Sequence, residues 1–550
     1  MFKVTAFFCL LFLLSRTVFL DSDLPPPELC QYWAIDEFYY SIPAFNSYHF
    51  GSINHVESDL IGHEGFVLNW PEFLFTKASL HMFGNTFFGL RMGAVIAALL
   101  SSLMLISILF GRFGKSAAAA TALILLCDFQ FLVSGRCEEP TIFRFFAMVL
   151  LLYIADRMLG SEKLTGLKSL ALGLLASGAF LFVYPTSFFL WPAAFCTVWC
   201  LSAGSRMRNI SLFTFGCVAA TAALFFLFHK VHGQPLSEAF LNMSGPYADR
   251  VAVHGRTVSG MAVEFLRNLA GFFGSASFRN SPGLLFLFLL SLPGFYRYVR
   301  VSSDPVAMLS GFCLVFFFLQ SLFLNDYHLR KMLPAMPLAI ISIGCASALL
   351  NRSREDRAGI RILLHLLFCA LFTLLVWHLN STLYGEYRLP ADASRLGLMS
   401  LTAVIAASAV AILLRNRRAA FSGVFIVAAL ALPNLYLDLT RVFLNPEYTL
   451  RNAQIAAAPL INDQVCAGGS SFAFRLYNTS IPALNPYRFH NRRDAYQLIF
   501  RWMVNEKIAG FSFGGISGDD RLLMDQSDME LTQKTGITVR ETEIGLFRHK

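Results

Sequence analysis

Charge is what this chain has least of. Asp, Glu, Lys and Arg make up 14% of its 550 residues, against 56% hydrophobic. A soluble chain carries about a quarter charged residues, so a soluble globular protein is excluded, in agreement with the mean hydropathy of +0.56. The net charge of +9 then does not point to nucleic acid, because the basic residues of a membrane chain gather on one side of the bilayer. No Cys-x-x-Cys pair occurs. Most of the 11 cysteines, among them Cys127, Cys196, Cys217, Cys313 and Cys369, sit in apolar runs as small apolar groups, which suggests neither a disulfide framework nor a cysteine metal site. No small-residue cleavage site follows the first apolar run at Phe19-Leu20-Asp21, so that run reads as an uncleaved span rather than a signal peptide. There is no internal repeat and no low-complexity segment. The glycines at Gly468-Gly469 and Gly514-Gly515 match no phosphate loop and read as turns.

What is present is a series of apolar runs, at 4–20, 86–110, 117–134, 141–156, 169–184, 187–203, 210–228, 283–296, 305–324, 333–350, 362–379, 396–414 and 420–439. Each is near the length a bilayer core requires, which predicts about thirteen transmembrane helices. Arg16, near the end of the first run, is expected to snorkel to the interface. Residues 21–85 are too polar to span, and their aromatic content predicts one or two interfacial helices.

The short loops separate by charge. With the N-terminus inside, the inside loops carry Arg112/Lys115, Arg157/Lys163/Lys168, Arg206/Arg208, Arg297/Arg300, Arg352/Arg354/Arg357/Arg361 and Arg415/Arg417/Arg418, as the positive-inside rule asks. The acids Asp36, Glu37, Glu57, Asp59, Glu64, Glu72, Glu138 and Glu139 all fall outside. A break at Tyr184-Pro185-Thr186-Ser187 is needed for this arrangement; one kinked span there would invert everything downstream. After about residue 440 charge density becomes ordinary. Strand-like stretches at Val465–Gly469, Phe511–Gly515, Thr538–Thr542 and Ile544–Phe547 predict a small α/β domain. The expected fold is an α-helical polytopic membrane protein, with a transmembrane domain over 1–440 and an extracytoplasmic α/β domain over 441–550.

Two acidic pairs stand out on the outer side. Asp36-Glu37 lies among aromatics in Tyr32-Trp33-Ala34-Ile35-Asp36-Glu37-Phe38-Tyr39-Tyr40. Carboxylates at a membrane surface are costly to dehydrate and have either a capping or a chemical role; as a cap, Asp36 would begin a surface helix with Glu37 in its first turn. The second pair, in Arg136-Cys137-Glu138-Glu139-Pro140, also reads as a helix start, with Pro at the first helical position. His55, Glu57, Asp59, His63 and Glu64 offer metal ligands on one loop, although such clusters are commonly just solvated.

Taken together these stretches resemble the GT-C glycosyltransferases that take sugar from a polyprenyl-phosphate carrier. The likeness is to the branch that holds protein O-mannosyltransferases and the lipid A aminoarabinose transferase. It rests on Arg16 ending the first span, on Asp36-Glu37-x-Tyr39, and on Asn69-Trp70-Pro71-Glu72. It rests further on Phe83-Gly84-Asn85-Thr86-Phe87-Phe88-Gly89-Leu90-Arg91 at the start of the second span, on Arg136-Cys137-Glu138-Glu139, and on Arg330-Lys331-Met332-Leu333-Pro334-Ala335-Met336-Pro337. Family members often have consecutive prolines where this chain has Asn69-Trp70-Pro71.

The resemblance implies Asp36 as general base, taking the acceptor's proton during attack at the anomeric carbon, with Glu37 flanking it or binding the acceptor and Glu138 or Glu139 as a second acid. Arg330, Arg136 and Lys331 are the implied contacts to the donor phosphate, Arg as a bidentate partner and Lys as a point charge. Some GT-C members use a divalent metal ion and others do not, so the cofactor stays open. The implied partners are a polyprenyl-phosphate sugar donor, a lipid, glycan or protein acceptor, and membrane lipids. The implied location is a bacterial inner membrane, with the endoplasmic reticulum as the alternative. A transporter or flippase of lipid-linked saccharides is the competing function. It would place ionisable residues and broken helices at mid-bilayer, where these runs are nearly uncharged.

Overall fold

The computed structural model describes residues 2–25, 34–51, 70–159, 164–183, 189–202, 205–232, 269, 278, 281–302, 304–323, 333–352, 359–383, 391–414 and 430–461. It also describes strands at 466–467, 483–484, 509–513, 529–539 and 542–549. The helices follow the apolar runs. They are α1 (Phe2–Thr17), α2 (Ala34–Phe50), α3 (Trp70–Phe83), α4 (Phe87–Phe113), α5 (Lys115–Cys127), α6 (Phe129–Ser134), α7 (Pro140–Leu159), α8 (Gly166–Val183), α9 (Leu190–Leu201) and α10 (Arg206–His232). After these come α11 (Pro282–Ser302), α12 (Pro305–Phe323), α13 (Ala335–Arg352), α14 (Gly359–Leu383), α15 (Ala391–Leu414), α16 (430–438) and α17 (Thr449–Ile461).

Among the described residues, Phe87–Phe113, Arg206–Phe226 and Pro282–Ser302 are long and apolar enough to cross a membrane, and shorter apolar helices accompany them. The chain is an integral membrane protein.

Helix α4 shows how its sequence dictates its start. Gly84 supplies a left-handed turn at φ 82°, and the Thr86 side chain caps α4 by accepting the Gly89 N–H at 3.0 Å, one of the orphan donors of a helix N-terminus. Gly89 and Gly93, four residues apart, let α3 approach as a small-xxx-small face does. A Cβ at Gly89 would lie 2.0 Å from the Gly84 carbonyl oxygen, and one at Gly93 3.0 Å from the Phe75 backbone. Ser79 of α3 donates to the Gly89 carbonyl at 2.5 Å. At 1.5 Å per residue, Arg91 and Arg112 stand about 30 Å apart along α4, close to the thickness of a hydrocarbon core.

Two expectations need correction here. The run 117–134 is not one continuous helix: Asp128 ends α5, its N–H on the Ile124 carbonyl at 2.8 Å, and caps α6, its Oδ1 accepting the Phe131 N–H at 2.7 Å. Nor does Arg16 snorkel. It is fully buried, stacked on Phe12 at 4.1 Å, and donates to the Leu125 and Leu126 carbonyls at 2.7 and 3.1 Å. A cation at the C-terminal carbonyls of α5 satisfies groups that the break leaves without intrahelical partners, and it complements the helix dipole. Helix end and guanidinium are each too costly to bury alone, and each removes the other's penalty.

At the other end of α4, Arg112 donates to Asp156 of α7 at 2.7 Å and pairs with Asp304, which caps α12 by accepting the Val306 N–H at 2.9 Å. Helices α8 and α10 pack closest at Gly173 and Gly216, where a Cβ would meet backbone oxygen at 2.1 and 2.4 Å. Helices α8 and α9 pack against each other; the break expected at 184–187 lies outside the described residues.

Beyond α16, a π-helical turn at Leu439–Phe443 leads toward α17. Strands β1 (Cys466–Ala467), β2 (Ala483–Leu484), β3 (Ala509–Phe513), β4 (Met529–Val539) and β5 (Thr542–His549) form one mixed sheet in the order β2-β1-β3-β5-β4. β1 runs parallel to β2 and β3, while β3–β5 and β5–β4 are antiparallel. The stretch 538–542, expected as one strand, is where β4 and β5 meet, with Val539 opposite Thr542.

Candidate active site

At the N-terminal end of α4 four segments converge on a buried ion pair. Glu37 lies in the first turn or so of α2 and Arg91 one turn into α4. Their side chains are 0% and 1% exposed. The Arg91 Nε and Nη2 atoms donate to the Glu37 Oε1 and Oε2 at 2.9 and 2.7 Å, a bidentate pair. The remaining guanidinium nitrogen donates to the Leu20 and Ser22 carbonyls, and the plane lies over Phe87 at 4.9 Å. A buried pair is stable only with such geometry and with its remaining donors satisfied.

Glu138 joins this pair. Its backbone N–H donates to Glu37 Oε1 at 3.2 Å, and Thr76 of α3 hydrogen-bonds its Oε1, while its buried Oε2 has no hydrogen-bond partner among the described residues. Burial, and secondarily the nearby Glu37 charge against the Thr76 bond, raises the Glu138 carboxyl well above the ordinary carboxylate range, since a second anion beside a first in a dry site is disfavoured. Glu139 faces a different task. Its Oε2 accepts the Thr141 N–H at 3.3 Å, at the start of α7 with Pro140 in the first position. The two glutamates, alike in sequence, are therefore divided between the ion pair and a helix start.

Asp36 lies in α2, whose described start is Ala34. It is thus inside the helix rather than at its cap, on the turn whose next residue is Glu37. Arg136 is nearly buried and donates to the Ser15, Val18 and Phe19 carbonyls at 3.3, 2.8 and 2.5 Å, closing the C-terminal end of α1. Burial and the neighbouring Arg91 and Arg16 cations push it down to about 9. Its guanidinium is occupied by a helix end, an arrangement that the expectation of a phosphate contact did not foresee. Arg330 and Lys331 lie outside the described residues, as do His55, Glu57, Asp59, His63 and Glu64. Among the described residues no three His, Cys, Asp or Glu side chains gather as metal ligands.

Arg91 and Thr76 are the members that sequence reasoning passed over as site residues. Arg91 had a signal: a cation one turn into a long apolar run, flanked by Gly89 and Gly93, requires a partner. Thr76 had none.

Residues 67–231 match the family model of dolichyl-phosphate-mannose-protein mannosyltransferases. No curated protein matches this sequence. Over 99% of this chain and 98% of the other, the structure resembles that of ArnT from Cupriavidus metallidurans, at 16% identity. The TM-score is 0.59 against the form bound to undecaprenyl phosphate and 0.55 against the apo form. The chain has the GT-C glycosyltransferase fold. In this chain the stretches that carried the resemblance do distinct structural work. The glycines and Thr86 of the α4 start bring α3 and Arg91 together, the acidic pair of α2 supplies Glu37, and Arg136-Cys137-Glu138-Glu139, ahead of α7, brings the Glu138 N–H onto Glu37.

Proposed function

We propose that this protein is a membrane glycosyltransferase. It transfers a sugar from a polyprenyl-phosphate donor to an acceptor at the extracytoplasmic face, with Asp36 as general base. The observation that carries the reading is the buried Glu37–Arg91 pair with Glu138 against it. This costly arrangement fixes the turn of α2 that holds Asp36, and fixing a turn so firmly next to a second acid is what a positioned base requires. The undecaprenyl phosphate bound by the similarly folded ArnT supports the donor class.

In the proposed reaction an acceptor hydroxyl attacks the anomeric carbon while its proton passes to the Asp36 carboxylate. The bond from that carbon to the phosphate oxygen breaks, and the polyprenyl phosphate leaves with the bonding electrons. Arg330 and Lys331 neutralise the departing phosphate. Residues 441–550 form a domain on the same outer side.

The competing reading as a transporter gains one feature, the helix broken at Asp128, since transporters use discontinuous helices around a binding site. Here, however, the break is filled by Arg16 on the α5 carbonyls and by Asp128 on α6, which favours structure over transport.

The deciding experiment is Asp36→Asn. Asn preserves size but cannot accept the proton, and turnover with a polyprenyl-phosphate sugar should fall about a hundredfold to ten-thousandfold while the folded protein persists in detergent. A fully active Asp36→Asn enzyme ends the general-base assignment.

A further inference from the structure

The short segment between α1 and the first outer loop touches both the candidate site and the start of the C-terminal region. Its carbonyls at Leu20 and Ser22 hold the Arg91 guanidinium, the first at 2.7 Å, and Arg91 in turn holds Glu37. Two of its side chains, Asp21 and Asp23, reach residues 449–451. Asp23 Oδ2 accepts the Thr449 N–H at 3.0 Å as well as the Thr449 hydroxyl, its Oδ1 accepts the Leu450 N–H at 3.1 Å, and its own N–H donates to the Glu447 carbonyl at 2.7 Å. Asp21 pairs with Arg451. Asp23 is therefore the N-cap of α17, supplied from more than four hundred positions away in the chain. It satisfies orphan donors and sets an anion against the positive end of a helix dipole.

The segment between these two anchors is tightly turned. Phe19 is held at φ 54°, in the left-handed region, and the Ser22 N–H and hydroxyl both close onto the Phe19 carbonyl at 3.0 and 2.7 Å. A non-glycine residue persists there only where its surroundings over-determine it. Arg136 adds to that constraint: it binds the Val18 and Phe19 carbonyls and lies 5.9 Å from the Phe443 ring on the π-helical turn ahead of α17.

We infer that Asp23 is a positioning residue: by capping α17 it holds the 18–23 strap, whose carbonyls set Arg91, and Arg91 sets Glu37 and the first turn of α2. The start of the C-terminal region thereby acts on the geometry of the membrane site. The effect on transfer rests on the function proposed above, whereas the mechanical coupling does not.

Amide hydrogen exchange on the full-length protein in detergent tests the coupling without any substrate. In Asp23→Ala, exchange should rise about fivefold or more at 449–453, and also at 34–41 and at the Glu138 amide that bonds Glu37. Asp23→Asn, which keeps one acceptor oxygen for the α17 N–H groups but sets an amide donor in place of the other, should raise exchange at all three by less than Asp23→Ala does. Loosening confined to 449–453 overturns the inference. Should Asp23→Ala not fold, Thr449→Val removes one of the bonds and must still raise exchange at 34–41, or the strap does not act. In transfer assays Asp23→Ala should lower kcat about tenfold to a hundredfold with the donor KM unchanged within about twofold, and Asp23→Asn should lower it by less. An unchanged kcat beside raised exchange overturns the positioning role. If the unaltered protein transfers no sugar, the functional reading fails, and exchange alone still decides the coupling.

Discussion

A guanidinium and a carboxylate with almost no exposure have to be understood through what happens when one is removed. In Arg91→Met, Glu37 keeps its burial and loses its partner, which for buried pairs costs about 3–5 kcal/mol; thermal unfolding in detergent should register that loss. Adding Glu37→Gln to Arg91→Met should recover much of the stability and none of the transfer, separating the pair's structural effect from its role in the site. Glu138 makes a pH prediction. Its carboxyl is raised in the folded protein, chiefly by burial, so between the ordinary carboxylate value and that raised value the folded state binds more protons than the unfolded state. Stability therefore falls as pH rises through this window. Glu138→Gln, which keeps an acceptor for Thr76, should flatten the decline in melting temperature with pH. An unchanged slope would show that Glu138 titrates as it does in the unfolded chain.

At the scale of elements, the site depends on how closely α3 lies on α4. A Cβ at Gly89 collides with the backbone of the Gly84 turn, whereas one at Gly111 meets nothing within 4 Å. Gly89→Ala should cost about 1–3 kcal/mol by forcing the turn aside and should lower transfer along with stability, because α3 carries Thr76 and α4 carries Arg91. Gly111→Ala on the same helix should be silent or slightly stabilising, since Ala favours an exposed helix interior. Equal losses in the two variants, measured by melting temperature, would mean that the α3–α4 approach is not what Gly89 secures. The α5–α6 break depends on tertiary structure in the same way. Asp128 ends α5 inside an apolar run, and the carbonyls that this break frees lie against Arg16.

For the whole molecule the expectation is an N-terminus inside and 441–550 outside. In a background freed of its own cysteines, an engineered cysteine near residue 480 should label from the outer side, and one near residue 355 should not. Labelling near residue 355 with protection near residue 480 would mean that the topology after 184–187 is inverted. The placement of the helices was legible in the linear chain, because a bilayer demands long apolar runs with satisfied backbones and each run up to 414 carries described helix. The strand positions near 466 and 511 were legible too, from apolar stretches ending at glycines. The start of α4 was readable from Gly84, Thr86 and Arg91, a turn, a cap and a cation needing a partner. These are local properties, set by residues within a few positions of one another. What the chain alone could not decide was which charge meets which. Arg16 and Arg136 looked like interface and phosphate residues, yet each closes a helix end belonging to another part of the chain. Glu138 and Glu139 were indistinguishable as neighbours, and only the approach of α2 to the loop before α7 assigns one to Glu37 and leaves the other at a helix start. A buried charge takes its role from the partners that dehydrate with it, and those partners, from residue 20 to residue 450, are brought to one end of the bundle by packing that no local pattern encodes.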